Sequence, residues 1–423
     1  MTNAVAHVRK GEARALKAGG AWIYDNEIES IQGDYNNGDI IKVEDFDGYV
    51  LGYGFINDNS KIRIRMLSRY RADIPDEAFL RSRVSAAISY RLAVMPEVFE
   101  TNSGCDSCRL IFGEADWLPG LVVDLYKDVL VVESLAMGID KLKDIILDEV
   151  RIQLDKLGIS IRAIYERSDA PVRRKEGMQP FKGLLWSAPG ETDIEAYLAA
   201  VPITENVVKY LVDVINGQKT GFFLDQKYNR LAMQKLVKGV LKTSPTLKVL
   251  DCFTHMGTFA LNCGLAGATD VTGLDISEYA VSQATANANR NNLSDTVHFR
   301  AANVLDELPK LYEAGEKYDI VILDPPAFTK SREATKNAIK GYREINMKGM
   351  KLIKDGGYLA TCSCSHFMTQ ELLAQTIAQA AKAVHKRIRQ IEYNTQAPDH
   401  PILWAADESL YLKFYIFQVC EEK

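Results

Sequence analysis

The sequence contains no apolar run of the ~18 residues that a membrane-spanning helix needs, so no transmembrane segment is expected. It has no excess of positive charge: 51 Lys and Arg against 56 Asp and Glu leave a net charge of −5. That disfavours nucleic-acid binding by bulk charge, although a local basic stripe can still engage phosphates. It has no internal repeat, no low-complexity tract and no Gly-x-Gly-x-x-Gly, which argues against a nicotinamide dinucleotide site. Met1–Lys10 contains two basic residues but no apolar core, so no signal peptide is expected. Seven scattered cysteines, an odd number, then predict thiols in a reducing cytoplasm rather than a disulfide framework. Cys105-x-x-Cys108 has no second pair at ligand spacing; loop-borne thiols are expected there, and no metal site.

What is present is ordinary globular composition, 47% apolar and 25% charged, over 423 residues, too many for one core. Three domains are expected, at 1–72, 73–200 and 201–423. The first reads as β-rich, with strands over Gly38–Val43 and Tyr49–Phe55 around the hairpin signal Asp47-Gly48. The second mixes a helix over Asp76–Met95, strands at Leu110–Gly113, Leu121–Asp124, Val129–Leu135 and Ala163–Glu166, and a helix over Asp140–Leu157. Turns and a domain boundary are expected between Pro180 and Pro202. Two basic stretches, Lys61–Leu67 and Arg173–Lys175, are candidates for phosphate contact; the competing reading for each is a solvated face.

From Val207 onward strands and helices alternate, which predicts a mostly parallel, doubly wound sheet with ligands beyond the carboxyl ends of its strands. The strands read as Lys248–Asp251, Asp270–Asp275, Val297–Arg300, Tyr318–Asp324 and Tyr358–Ser363. A helix over Tyr342–Ile353 is expected to stop at Gly356-Gly357. Polar residues fall at the strand ends in order. Asp251-Cys252-Phe253-Thr254-His255-Met256-Gly257 leads into a helix whose N-terminus suits a polar ligand, and Gly257 permits close backbone approach. Asp275 can accept both hydroxyls of a ribose, and Asn303 can reach an adenine edge. This order favours S-adenosylmethionine as the cofactor.

Asp324-Pro325-Pro326-Ala327-Phe328 ends the fourth strand, where two prolines stiffen a carboxylate against a flat base. Asp/Asn-Pro-Pro-aromatic signatures mark amino methylation, but here Ala327 displaces the aromatic by one residue. The fifth strand supplies Thr361-Cys362-Ser363-Cys364-Ser365-His366. A thiolate adding to C6 of a pyrimidine makes C5 nucleophilic, with an acid near N3 stabilising the adduct. Asp324 and a cysteine could take those parts. Cys362 and Cys364 share one face of the strand, so periodicity does not choose between them, and both also suit a core position.

These stretches, with His7–Glu12, Trp22-Ile23, Phe112–Leu121, Glu166–Asp169 and Lys219–Gln226, give a chain that resembles the class I large-subunit (23S) rRNA cytosine-5 methyltransferases carrying an N-terminal PUA domain. The resemblance spans nearly the whole length. It implies a PUA domain, a central α/β domain and a Rossmann-like catalytic domain. It also implies that Cys364, in Ser-Cys-Ser, is the nucleophile, and that Phe222, Asp225 and Gln226 lie at the cofactor. They join Asp251, Phe253, Thr254, Gly257, Asp275, Ile276, Asn303, Asp324 and Pro325. The chain departs from the family's pattern at Lys227, usually Arg, at Asn303, often Asp, and at His366, often Gly, where the imidazole could activate the thiol, cap a helix or face solvent. Expected partners are 23S rRNA, free or within a pre-ribosomal particle, and no membrane; a homodimer is left open. Two alternatives stand beside this reading: guanine-nitrogen methylation on the same scaffold, and a non-catalytic ribosome-assembly protein.

Overall fold

The computed structural model describes residues 2–329, 333–406 and 409–422; Met1 and Lys423, outer bounds of the expected domains, lie outside them. The chain contacts divide into two compact units. One comprises Met1–Thr204, Val212–Leu224 and Pro398–Asp407; the other comprises Glu205–Leu211, Asp225–Ala397 and Glu408–Lys423.

The first unit holds two sheets. In the six-stranded sheet the spatial order is Trp22–Tyr24, Ile62–Ser68, Val50–Ile56, Ile40–Glu44, Val5–Val8 and Ile28–Gln32. The alternation of apolar residues along these strands buries Ala6, Val8, Ile41, Val43, Ile64 and Met66 in one core. The five-stranded sheet runs Phe181–Ser187, Ala163–Ser168, Val129–Ser134, Leu121–Tyr126 and Ser107–Phe112. Helix Glu77–Val94 begins as its sequence predicts: the Asp76 side chain accepts a hydrogen bond from the Phe79 backbone N–H. Phe181–Ser187 is a strand where turns were expected; it pairs on one side only, with Ala163–Ser168, and stays largely uncovered, as an edge strand does.

Both basic stretches turn out to be occupied by ion pairs. Arg65 contacts Glu114 and Glu176 at 3.2 and 2.9 Å, and Arg63 pairs with Asp58. Arg173 is 5% exposed, donating to the Ser134 and Gln179 carbonyls and to Asp140. Only Arg174 and Lys175 of that triplet face outward. Cys105 and Cys108 are both buried; Cys105 lies in the loop ahead of strand Ser107–Phe112, as expected, whereas Cys108 lies within the strand.

The second unit is the expected Rossmann-like α/β layer structure. Its seven-stranded sheet has the order Val297–Ala301, Asp270–Asp275, Lys248–Cys252, Tyr318–Leu323, Ile353–Ser363, Lys413–Glu421 and Lys386–Asn394. The first five are parallel, and Lys413–Glu421 runs antiparallel to both of its neighbours. Lys248–Cys252 pairs with Asp270–Asp275 on one side and Tyr318–Leu323 on the other, so the winding reverses there and a crevice opens at the strand ends. Helix Thr335–Lys351 starts earlier than its apolar periodicity suggested. Gly357 lies inside the fifth strand rather than stopping a helix: a Cβ there would stand 2.8 Å from the Asp319 carbonyl oxygen, so the backbones approach closely. No helix among the described residues is long and apolar enough to cross a membrane.

Candidate functional site

Asp251, next to last in strand Lys248–Cys252, is 1% exposed. Its Oδ2 accepts from the Thr254 hydroxyl at 2.5 Å and from the Ala260 backbone N–H at 3.0 Å, tying the loop to the helix Thr258–Leu265. Its Oδ1 is buried without a hydrogen-bond partner among the described residues. Burial pushes the carboxyl up to about 7, assisted by the charges of Asp324 and Asp275. In the intervening loop Phe253, His255 and Gly257 adopt left-handed φ of 65°, 52° and 85°. That winding turns the Thr254 N–H onto the Leu274 carbonyl and the His255 N–H onto Asp275. A Cβ on Gly257 would meet the Phe299 ring at 2.6 Å, so the position tolerates only glycine without adjustment.

Asp275 closes the second strand, half-buried, with Oδ2 accepting from His255 N–H and Oδ1 from Ser277 N–H, each at 2.9 Å. Both bonds come from backbone and leave each oxygen a further lone pair. Ile276 beside it is 74% exposed, an apolar surface open to a ligand. Asn303 is exposed and caps the helix Val304–Glu313; its Oδ1 accepts from Leu305 N–H at 3.1 Å, which leaves the side-chain amide N–H groups to face outward.

At the fourth strand end Asp324 accepts from Gln226 Nε2 at 3.2 and 3.3 Å and from the Cys362 thiol at 3.0 Å. Burial pushes its carboxyl up to about 6. Pro325 behind it is buried, and Pro326 is exposed. Gln226 is oriented by Asn229, whose side-chain amide donates to its Oε1 at 2.6 Å, so it is a partner of Asp324 as well as a candidate cofactor contact. Asp225 accepts from the Tyr411 hydroxyl at 2.8 Å. Phe222 belongs to the other unit, where it is buried and its carbonyl accepts from the Tyr126 hydroxyl at 3.4 Å.

The two cysteines of the fifth strand part company. Cys362 is fully buried, donates to Asp324, and its thiol is pushed well above the usual range by burial and then by the Asp324 charge. Cys364, one residue past the strand, is partly exposed. Its flanking serines are anchored: Ser363 donates to the Tyr342 hydroxyl at 2.8 Å and Ser365 to the Thr329 carbonyl at 3.0 Å. His366 is exposed and lies against Phe367, and the helix that follows is capped by Thr369 instead. Three contributors escaped the sequence reading: Asn229, Tyr411 and Lys413. The last left a signal, a lysine inside the apolar run Tyr411–Phe417.

A PUA-like domain profile matches residues 6–69 of the chain, and an S-adenosylmethionine-dependent methyltransferase profile matches residues 190–413. A protein of Shewanella frigidimarina named Ribosomal RNA large subunit methyltransferase I is 36% identical over 416 residues, covering 97% of this chain and 98% of that protein. Its namesake in Pseudoalteromonas translucida is 35% identical, covering 99% and 100%. Among solved structures, a protein of Streptococcus mutans assigned as a SAM-dependent methyltransferase superimposes with a TM-score of 0.76 at 17% identity, covering 98% of this chain and 99% of that one. A further methyltransferase-like structure, solved in complex with SAH, gives a TM-score of 0.77 at 17% identity over the same shares.

Proposed function

The chain belongs to the S-adenosylmethionine-dependent methyltransferase family, and from that premise we propose that it methylates carbon 5 of a cytosine in large-subunit ribosomal RNA. Its full-length relatives named Ribosomal RNA large subunit methyltransferase I support the RNA class. The arrangement of Asp324, Cys362 and Cys364 supports the choice of atom.

The residues at the switch point suit the cofactor. Among the described residues Asp251 keeps a buried oxygen without a partner, Gly257 lets the loop wind in the left-handed region against Phe299, and Asp275 retains acceptor capacity. Asp275 would take the ribose hydroxyls, Ile276 the adenine face, and the Asn303 amide an adenine nitrogen. Phe253, Thr254, Asp324 and Pro325 would complete the wall, with Asp225 and Gln226 contributing from the preceding segment. When bound, adenosylmethionine supplies a sulfonium-activated methyl group to the carbon that an enzyme–base adduct makes nucleophilic.

The chain's own groups build that adduct. The Cys364 sulfur forms a bond to C6, and the C5–C6 π electrons move toward N3, where Asp324 in its protonated form donates. A carboxyl held at about 6 keeps roughly a tenth of its population protonated at neutral pH and can return the proton readily. After C5 gains its substituent, the N3 proton returns to Asp324, water takes the C5 proton, the C5–C6 double bond reforms and the sulfur leaves as thiolate. Cys362 cannot serve in its place, because its thiol donates to Asp324 and is shut away from solvent. That separation of two nearby cysteines is the observation on which the reading rests. The rRNA could be met free or in a pre-ribosomal particle, by one chain or a homodimer, in a reducing cytoplasm; a three-part division near 72 and 200 is our reading of its domains.

The test is a denaturant-stable complex with 5-fluorocytidine-substituted large-subunit rRNA. Wild type and Cys362→Ala are expected to form it, and Cys364→Ala to lose it. An undiminished complex in Cys364→Ala would sink the assignment, and methyl groups mapped to a guanine nitrogen would replace it.

A further inference from the structure

Lys413 opens the strand Lys413–Glu421 and stands directly opposite Ser363 in the antiparallel register. Its side chain is 1% exposed, and its ammonium donates to the Ser365 carbonyl at 2.6 Å and the Tyr411 carbonyl at 3.0 Å. The lysine therefore spans the turn whose middle residue is Cys364. Both acceptors are neutral, and no carboxylate pairs with the ammonium among the described residues. A desolvated cation held only by carbonyls is costly, and the cost falls sharply if an anion forms beside it.

Among the described residues, the titratable groups around Cys364 other than Lys413 are a phenol, a thiol, a carboxylate and an imidazole. Tyr342, on helix Thr335–Lys351, is a phenol pushed up by burial, and Cys362 is a thiol pushed up by burial. Asp324 faces Cys362, and His366 is exposed against Phe367. Burial pulls Lys413 down to about 8, and the Cys364 thiol is the titratable group whose charge acts on it in the opposite sense.

We propose that Lys413 is a positioning residue that holds the Cys364 sulfur as a thiolate by fixing its ammonium across the Ser363–Ser365 turn. The proposal rests on Cys364 as the nucleophile and adds how that nucleophile is activated. On ionisation the S–H bond breaks, the proton passes to solvent water, the electron pair stays on sulfur, and Nζ keeps its three protons. In the adduct the sulfur is a neutral thioether; when the base departs, the thiolate reforms beside the same cation.

The experiment measures iodoacetamide alkylation of Cys364 in the full chain between pH 6 and 10, read by mass spectrometry of its peptide, with partly exposed Cys420 as internal reference. A nearby cation lowers a thiol's ionisation pH by about a unit or more, so Lys413→Met is expected to slow alkylation at pH 7 about tenfold and to move the midpoint upward. Lys413→Arg, which keeps the charge, is expected to track wild type, and Cys420 to stay unchanged in all three. Equal midpoints in wild type and Lys413→Met would overturn the proposal, as would Lys413→Arg behaving like Lys413→Met. Because alkylation needs neither RNA nor cofactor, this outcome is read separately from the 5-fluorocytidine adduct: a shifted midpoint with the adduct surviving in Cys364→Ala would refute the nucleophile while leaving the ion pair standing.

Discussion

Replacing Asp251 by Asn tests whether the cofactor loop stores a charge penalty. The carboxyl is fully buried, with one oxygen bonded to Thr254 and Ala260 and the other unpartnered among the described residues. Its ionisation is raised from an ordinary 3.8 to about 7, chiefly by burial. An acid whose folded value is raised stabilises the fold fully below its unfolded value, and that contribution is lost as pH climbs through the folded one. At about 1.4 kcal/mol per tenfold, the complete loss is about 4 kcal/mol, of which about 3 falls between pH 5 and pH 8. Asn keeps an oxygen for Thr254 and Ala260 but does not titrate. The stability difference between variant and wild type is therefore expected to move by about 3 kcal/mol in the variant's favour from pH 5 to pH 8. All four tryptophans, at 22, 117, 186 and 404, lie in the other unit, so fluorescence would miss the effect. Amide hydrogen exchange of the strand Lys248–Cys252 reads it directly. A difference that stays flat across this range, or a variant weaker at pH 8, would refute the reasoning.

Gly257→Ala is expected to weaken adenosylhomocysteine binding about tenfold by calorimetry, because the left-handed φ and the Phe299 ring together force the loop to shift. Arg173→Ala is expected to destabilise the first unit by about 1–3 kcal/mol in a urea titration followed by tryptophan fluorescence, since it leaves the Ser134 and Gln179 carbonyls without their donor while Lys143 still pairs with Asp140 and Glu166. Lys175→Ala, at an exposed position, is expected to stay within about 0.5 kcal/mol of wild type.

The strand ends were legible because each apolar run stops at a polar residue, and Asp251, Asp275 and Asp324 all fall where the alternation placed them. The catalytic layer order follows from the same alternation, up to the fifth strand. What was hidden depends on contacts far apart in sequence. The Arg173–Lys175 triplet looks solvated until Glu166 and Asp140 are folded against Arg173. Helix Thr335–Lys351 begins in Thr335, Lys336 and Asn337, so its first turn carries no periodic signal. The choice between Cys362 and Cys364 could not come from a period of two, because both obey it; it comes from Asp324 on the neighbouring strand, which captures one thiol and leaves the other.

The interleaving of the two units bears on how the chain is made. Arg91, fully buried in the first unit, donates to the carbonyl of Asp399, whose carboxylate in turn accepts from Arg109 N–H. Those partners leave the ribosome more than 300 residues after Arg91 itself. A nascent chain that has exposed only 1–204 already pairs Arg91 with Asp116 and the Arg109 carbonyl but leaves its remaining nitrogen awaiting an acceptor, and this unit reaches its final packing only once Asp399 has been made. Truncation before Pro398 would accordingly injure the part of the molecule synthesised first.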